Sequence, residues 1–290
     1  MPLLIPNLPT SSGRFILTGY TYHLEQGPCW QIDDLGQTPT RRYILPIKQQ
    51  TLSLQQTATR YCIGTYDAAT KKYIPCPHRR QVTPPYQNCY PCFEAIGFNP
   101  AFYNVPQEQL SERQQAYNRE PHCTYLAYFG PGVIKVGIAR HARVQKRWLE
   151  QGARAAVVLQ VTPDAYQARE LEEKVSTTFR IPERITSTQK KQLLNIPYSF
   201  SQANAVLSRR IQAITKTLEP AAVPHPVQDL QAHYFSTLQP STLLDADRRK
   251  QPIAGRVVGM VGDLLVYESE DRFWMAALKG RLGQAFVHLP

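Results

Sequence analysis

Apolar positions alternate along the first part of the chain and cycle with helical spacing further on. From Gly13 to Gly64, the segments GRFILTGYTY, PCWQI, RRYILPI and TRYCIGTY carry alternating or β-branched and aromatic character. Gly, Pro and Asp punctuate them, which predicts an antiparallel β unit. RYCIGTYDAATKKYIPC predicts a hairpin turning near Asp67 to Thr70, with Cys62 on one strand and Cys76 just beyond the other. Residues 77–92 are polar and proline-rich and predict a loop that no apolar core holds. LSERQQAYNRE follows as a polar helical link, and Thr124 to Phe179 reads as β-β-α-β-α. In AVLSRRIQAITKTLE, helical spacing turns Val206, Leu207, Ile211, Ile214 and Leu218 inward; PAAVPHPV is then a linker. Residues 253–290 return to strand character, with turns at Gly262-Asp263 and around Glu268 to Asp271, and are expected to complete the N-terminal sheet.

One helix breaks its own pattern. On TPDAYQARELEEKVSTTF, a step of about 100° per residue gathers Ala165, Ala168, Leu171, Val175 and Phe179 into one stripe. Glu172 falls inside that stripe, whereas Glu170 and Glu173 fall outside it. A carboxylate facing a core costs on the order of several kcal/mol unless a cation, a metal or a fan of donors meets it. Glu172 is therefore a candidate functional residue.

The expected fold class is α/β in the broad sense, an α+β protein. Its expected parts are a β-rich region over 1–75, a cysteine-cluster connector over 76–120 and a central domain over 121–200. A helical segment and linker over 201–250 and C-terminal strands over 251–290, packed with the N-terminal region, complete it. No internal repeat or low-complexity tract interrupts this order.

The 290 residues, 42% apolar and 10% aromatic, suffice for a folded core, and the 24 prolines imply many extended or turning connections. Lys and Arg outnumber Asp and Glu by 33 to 22, a formal charge of +11, which suits a polyanionic partner: nucleic acid, with DNA ahead of RNA. MPLLIPNLPTSSGRF places no basic residue ahead of its apolar stretch, and prolines cut that stretch short of an export signal. No run approaches the ~18 apolar residues of a membrane helix. A cytoplasmic protein without a membrane partner is the expectation.

Cys62, Cys76, Cys89 and Cys92 are spaced C-x13-C-x12-C-x2-C. The final CYPC can clamp one side of a tetrahedral ion and the other two cysteines the opposite side, which points to structural Zn²⁺. Four ligands leave no open position for catalysis. His78 is an alternative ligand, and a reduced redox pair at CYPC is the alternative chemistry, disfavoured by its expected place in a loop rather than at a strand-to-helix junction. Cys29 and Cys123 occupy strand positions and read as small buried hydrophobes.

The segment CTYLAYFGPGVIKVGIARHARVQKRWLEQGARAAVVLQV resembles the core of the GIY-YIG nuclease superfamily, in which two strands lead to a helix bearing an arginine and a later helix bears a metal-binding glutamate. Tyr125 matches the tyrosine of the first triplet, and Gly137 the glycine of the second. Lys135 stands where the signature tyrosine usually stands, as in a KIG-type branch; Arg147 matches the helix arginine and Glu172 the glutamate. The asparagine expected about a dozen residues after the glutamate has no counterpart in RIPERIT. This resemblance covers about 55 residues, roughly a fifth of the chain. The wider arrangement, a cysteine cluster leading into YLAYFGPGVIKVGI and LEQGA, resembles an uncharacterised bacterial family without an assigned function.

The resemblance implies divalent-metal phosphodiester cleavage, and the residue types allow it. Glu172 would hold Mg²⁺ or Mn²⁺ against a phosphate oxygen, and Arg147, placed inward beside Val144 and Trp148, would meet the phosphate; Arg143 is an alternate. Tyr125 would orient or deprotonate water if Lys135 lowered its pKa from ~10. The opposing reading makes Tyr125 a strand aromatic, Lys135 an edge-strand charge, and Arg147 with Glu172 a buried ion pair. Basic pairs at Arg41-Arg42, Lys71-Lys72, Arg79-Arg80, Arg209-Arg210 and Arg248-Arg249-Lys250 are solvated faces or phosphate contacts, the first three with Tyr43, Tyr73 and Tyr86 close by. The expected function is thus a zinc-containing nucleic-acid-binding protein and candidate endonuclease; the alternative is a non-catalytic nucleic-acid-binding or scaffold protein that keeps the nuclease fold.

Overall fold

The N-terminal segments with strand character fold as strands and pair with one another through their backbones. The computed structural model describes residues 3–5, 7–8, 13–67, 72–97, 99, 101–218, 225–235, 239–249 and 251–289. Its first strands are β1 (Leu3–Leu4), β2 (Arg14–His23), β3 (Gly27–Asp34), β4 (Arg41–Pro46) and β5 (Thr51–Arg60). A small hairpin, β6 (Thr65–Asp67) and β7 (Lys72–Ile74), precedes helix α1 (Tyr90–Ile96). After α1 come α2 (Glu112–Asn118), β8 (His122–Gly130), β9 (Val133–Arg140), α3 (Val144–Gln151), β10 (Ala155–Thr162) and α4 (Ala165–Phe179). Helices α5 (Ser187–Leu194) and α6 (Phe200–Leu218) and strand β11 (Gln228–Asp229) follow. The chain then forms β12 (Leu244–Asp245), β13 (Ile253–Val261), β14 (Leu264–Ser269), β15 (Arg272–Ala277) and β16 (Gln284–His288).

These elements divide into two units, one of Met1–Phe98 with Tyr234–Pro290 and the other of Asn99–His233. The first is built on a sheet of order β1-β4-β3-β2-β16-β5-β13-β14-β15-β12. The C-terminal strands do complete the N-terminal sheet, because β16 lies antiparallel between β2 and β5, and β13 pairs β5 on its other side. Turn chemistry fits: Gly262 takes a left-handed φ between β13 and β14. The β6–β7 hairpin forms with Thr65 opposite Ile74, and residues 68–71 of its expected turn, Lys71 included, lie outside the described residues, as do Lys250 and 220–224 of the expected linker.

The second unit carries the β-β-α-β-α order expected of the central segment. Its sheet runs β11-β10-β8-β9, and β8 is buried along its whole length. Leu126, Val136, Val157 and Leu159 of the sheet form one core with Val175 of α4 and Leu207 and Ile214 of α6. Helix α6 packs on this sheet, so the helix expected within 201–250 belongs with the central segment. Ser111 and Asp164 cap α2 and α4 through their side chains, accepting from Gln114 and Gln167 N–H at 3.2 and 2.8 Å. The N–H of Val136 on edge strand β9 donates to the carbonyl of Pro182, so the chain after α4 covers that edge.

Candidate functional site

Two clusters gather the residues singled out by sequence, one in each unit. In the first unit, the Sγ atoms of Cys62, Cys76, Cys89 and Cys92 all lie within 4.8 Å of one another, and all four residues are buried. A tetrahedral zinc with Zn–S bonds of ~2.3 Å sets its sulfurs about 3.8 Å apart, and Cys76 and Cys89 stand at 3.9 Å. The donor set and spacing fit a metal ion such as zinc.

Local backbone explains how these thiols meet. Gly64 takes φ +82°, folding the chain so that its N–H donates to Cys62 Sγ at 3.3 Å; a Cβ there would collide with the carbonyl oxygen of Ile74. The Cys89 N–H donates to the same sulfur at 3.2 Å. Such N–H donors stabilise a thiolate and orient it toward a cation. Burial pushes the Cys62 thiol up to about 11; at Cys89 burial also pushes upward, but N–H and S–H donors outweigh it and the net shift is downward. Cys62 therefore sits in a tight bend before β6 rather than on a strand. Cys89 caps α1 and Cys92 lies within it, so CYPC opens a helix instead of lying in a loop, with Pro91 in the first turn where a missing N–H is tolerated. That placement removes the expected argument against a redox pair, but Cys62 and Cys76 surround the pair and complete a ligand set. His78 is exposed and outside the cluster. Cys29 and Cys123 are buried in β3 and β8, as expected.

In the second unit, Tyr125 on β8 faces Gly137 across the ladder to β9. Its ring is fully buried, meets Trp148 edge-on at 5.9 Å, and its hydroxyl donates to Gln151 Oε1 at 2.9 Å. Lys135 Nζ lies 6.0 Å from that ring and donates to the carbonyl of Glu183 at 3.1 Å. Burial and then the Arg147 charge push Lys135 down to about 8, with Glu172 pulling the other way. Burial pushes Tyr125 up to about 12 against the opposing pull of Arg147. The phenol thus stays neutral, and the expected lowering of its pKa by Lys135 does not occur: desolvation exceeds the neighbouring charge.

Glu172 is buried on the α4 stripe where the spacing placed it. Its partner is not Arg147 but Arg169, one turn earlier on the same helix, whose guanidinium reaches Glu172 at 2.5 Å and Glu183 at 2.8 Å. Arg169 also lies over the Tyr103 ring at 4.4 Å. Burial raises the Glu172 carboxyl pKa, and the Arg169 hydrogen bond offsets only part of that rise.

Arg147 is exposed, which corrects the inward placement beside Val144 and Trp148. The buried face of α3 is set by Trp148 and Leu149, and a helical step of about 100° carries Arg147 off that face. Arg143 is neutralised by both oxygens of Glu150 at 2.9 and 3.0 Å. Among the described residues no carboxylate pairs with Arg147. Tyr125, Lys135 and Glu172 are therefore brought together, and Arg147 acts on the first two through its field. Sequence reasoning missed Gln151, Arg169 and Glu183; Arg169 was accessible through its i,i+3 spacing to Glu172.

The elements and the cysteine geometry define a mixed α+β protein with a four-cysteine cluster able to hold a metal ion such as zinc. No helix among the described residues is long and apolar enough to cross a membrane. Residues 49–280 match a family described as a protein of unknown function, DUF2797, and the chain belongs to that family. No curated protein and no solved structure matches it.

Proposed function

We propose that this is a zinc-stapled nucleic-acid-binding protein whose central unit receives a backbone phosphate beside Lys135 and Arg147. The carrying observation is the charge around Lys135. Two cations oppose each other there, one buried and one exposed without a carboxylate partner, and an arriving phosphate would relieve that repulsion. The net charge of +11 supports the same partner through counterion release. Zinc supplies cross-linking to a cysteine module whose core, among the described residues, is the cluster itself with Val82 packed against it. The test is a titration with single-stranded and duplex DNA and RNA at rising salt: affinity should fall steeply, and absence of binding at low salt ends this reading.

Phosphodiester cleavage is the second reading, favoured by the grouping of Lys135, Tyr125 and Glu172, and the likeness to GIY-YIG nucleases remains part of it. Mg²⁺ or Mn²⁺ at Glu172 would have to displace Arg169, and Tyr125 would act as a neutral donor rather than a base. If cleavage occurs, Glu172→Gln abolishes it while binding persists; a parent protein inert with either ion leaves the non-catalytic binding role.

A further inference from the structure

The cysteine module exposes what a small core would normally hide. Of the ten large hydrophobic side chains that stand exposed among the described residues, five lie on it: Tyr73, Ile74, Tyr86, Tyr90 and Phe93. Tyr90 and Phe93 are 73% and 64% exposed and lie three residues apart on α1, hence on neighbouring rows of one helix face. Cys92 points the other way, into the cluster. Neither ring meets another aromatic ring among the described residues.

We infer that Tyr90 and Phe93 form a stacking platform for the unpaired bases of a single-stranded nucleic acid; this rests on the nucleic-acid reading and adds the place and the strand state. Flat aromatic side chains have only two rotatable bonds and so lose little entropy on binding, and every base offers a π face, but a duplex has already stacked its own. The cation on this module that is placed to meet a phosphate chain is Arg80, because the neighbouring Arg79 is already committed to the Thr40 hydroxyl and the Leu35 carbonyl. Arg80 is exposed without a carboxylate partner among the described residues, and its carbonyl is anchored by the N–H of Cys62 at 2.8 Å, so the cysteine loop that carries the ligands also places this cation.

The experiment is fluorescence anisotropy with labelled oligo-dT, oligo-U and a duplex of equal length, on the parent, a Tyr90→Ala/Phe93→Ala variant and a Tyr90→Phe/Phe93→Tyr variant. The parent should prefer single strands. The alanine pair should weaken single-strand affinity by about 10-fold or more, with duplex affinity and bound metal unchanged, and the aromatic exchange should restore it. The oligo-dT and oligo-U arms distinguish DNA from RNA. Alanine variants that bind single strands like the parent, or lose both strand states equally, overturn the inference while leaving nucleic-acid binding intact. So does an alanine pair that abolishes self-association in sedimentation but keeps single-strand affinity, which would make this face a contact between copies. A parent that binds neither strand state removes the inference together with the reading beneath it.

Discussion

The ring of Tyr125 occupies the space that a side chain at Gly137 would need: a Cβ built there would stand 2.6 Å from both the ring carbon Cζ and the hydroxyl oxygen. Glycine at 137 is thus dictated by the tyrosine opposite it on β8. Gly137→Ala should destabilise the second unit by about 1 to 3 kcal/mol through overpacking. In a Tyr125→Ala background, where the ring is gone, the same change should cost little. Urea unfolding of the four proteins gives the coupling, and additive costs would refute the packing account.

One zinc per chain is expected by elemental analysis. Replacing Cys62, Cys76, Cys89 or Cys92 with Ala should release the metal and lower the melting temperature, whereas Cys29→Ala and Cys123→Ala should retain it, since those thiols stand apart in strands. Gly64→Ala should weaken metal retention without removing a ligand.

The two arginines near the second cluster should separate cleanly. Arg169→Met leaves the buried Glu172 without its cation and should cost about 3 to 5 kcal/mol. Arg147→Ala should leave stability within about 0.5 kcal/mol and instead weaken nucleic-acid binding, with the log–log salt slope reduced by about one. Calorimetry and salt titration on both variants decide it.

Lys135 carries a pH signature. Its folded pKa of about 8 lies below the ordinary lysine value of 10.5, so between these two values the unfolded chain binds more protons. Stability should therefore rise as pH increases through that window, and the penalty of holding Lys135 charged should be fully present below pH 8. Lys135→Met should flatten the rise, as read from unfolding free energies at pH 7 through 10. A phosphate bound beside the amine should return its pKa upward by NMR titration.

Much of this arrangement was readable because it is local. Glu172 declared itself through a single helix stripe, the cysteines through their spacing, and the C-terminal strands through turns at Gly262 and near Asp271. What escaped was set by longer-range or very short-range geometry. Arg147 lies on a helix of eight residues, too short for periodicity to fix its buried face, and two adjacent residues, Trp148 and Leu149, decide it. Glu183 reaches the cluster only because the chain after α4 folds back over β9, so its meeting with Arg169 and Lys135 had no local signal. It stands eleven residues after Glu172, within the RIPERIT stretch where the resemblance leads one to look for an asparagine.

Strand β16, seated between β2 and β5, makes closure of this sheet a late event in folding. The ribosome releases β2 and β5 long before residues 284–288 exist, so both strands wait with unsatisfied inner edges, and the sheet closes only when its last-made strand slides in. The contiguous second unit has every strand it needs by residue 229 and is free to fold first. A nascent chain stalled before β16 would present two open β edges at once, making it a natural client for a chaperone that binds extended backbone.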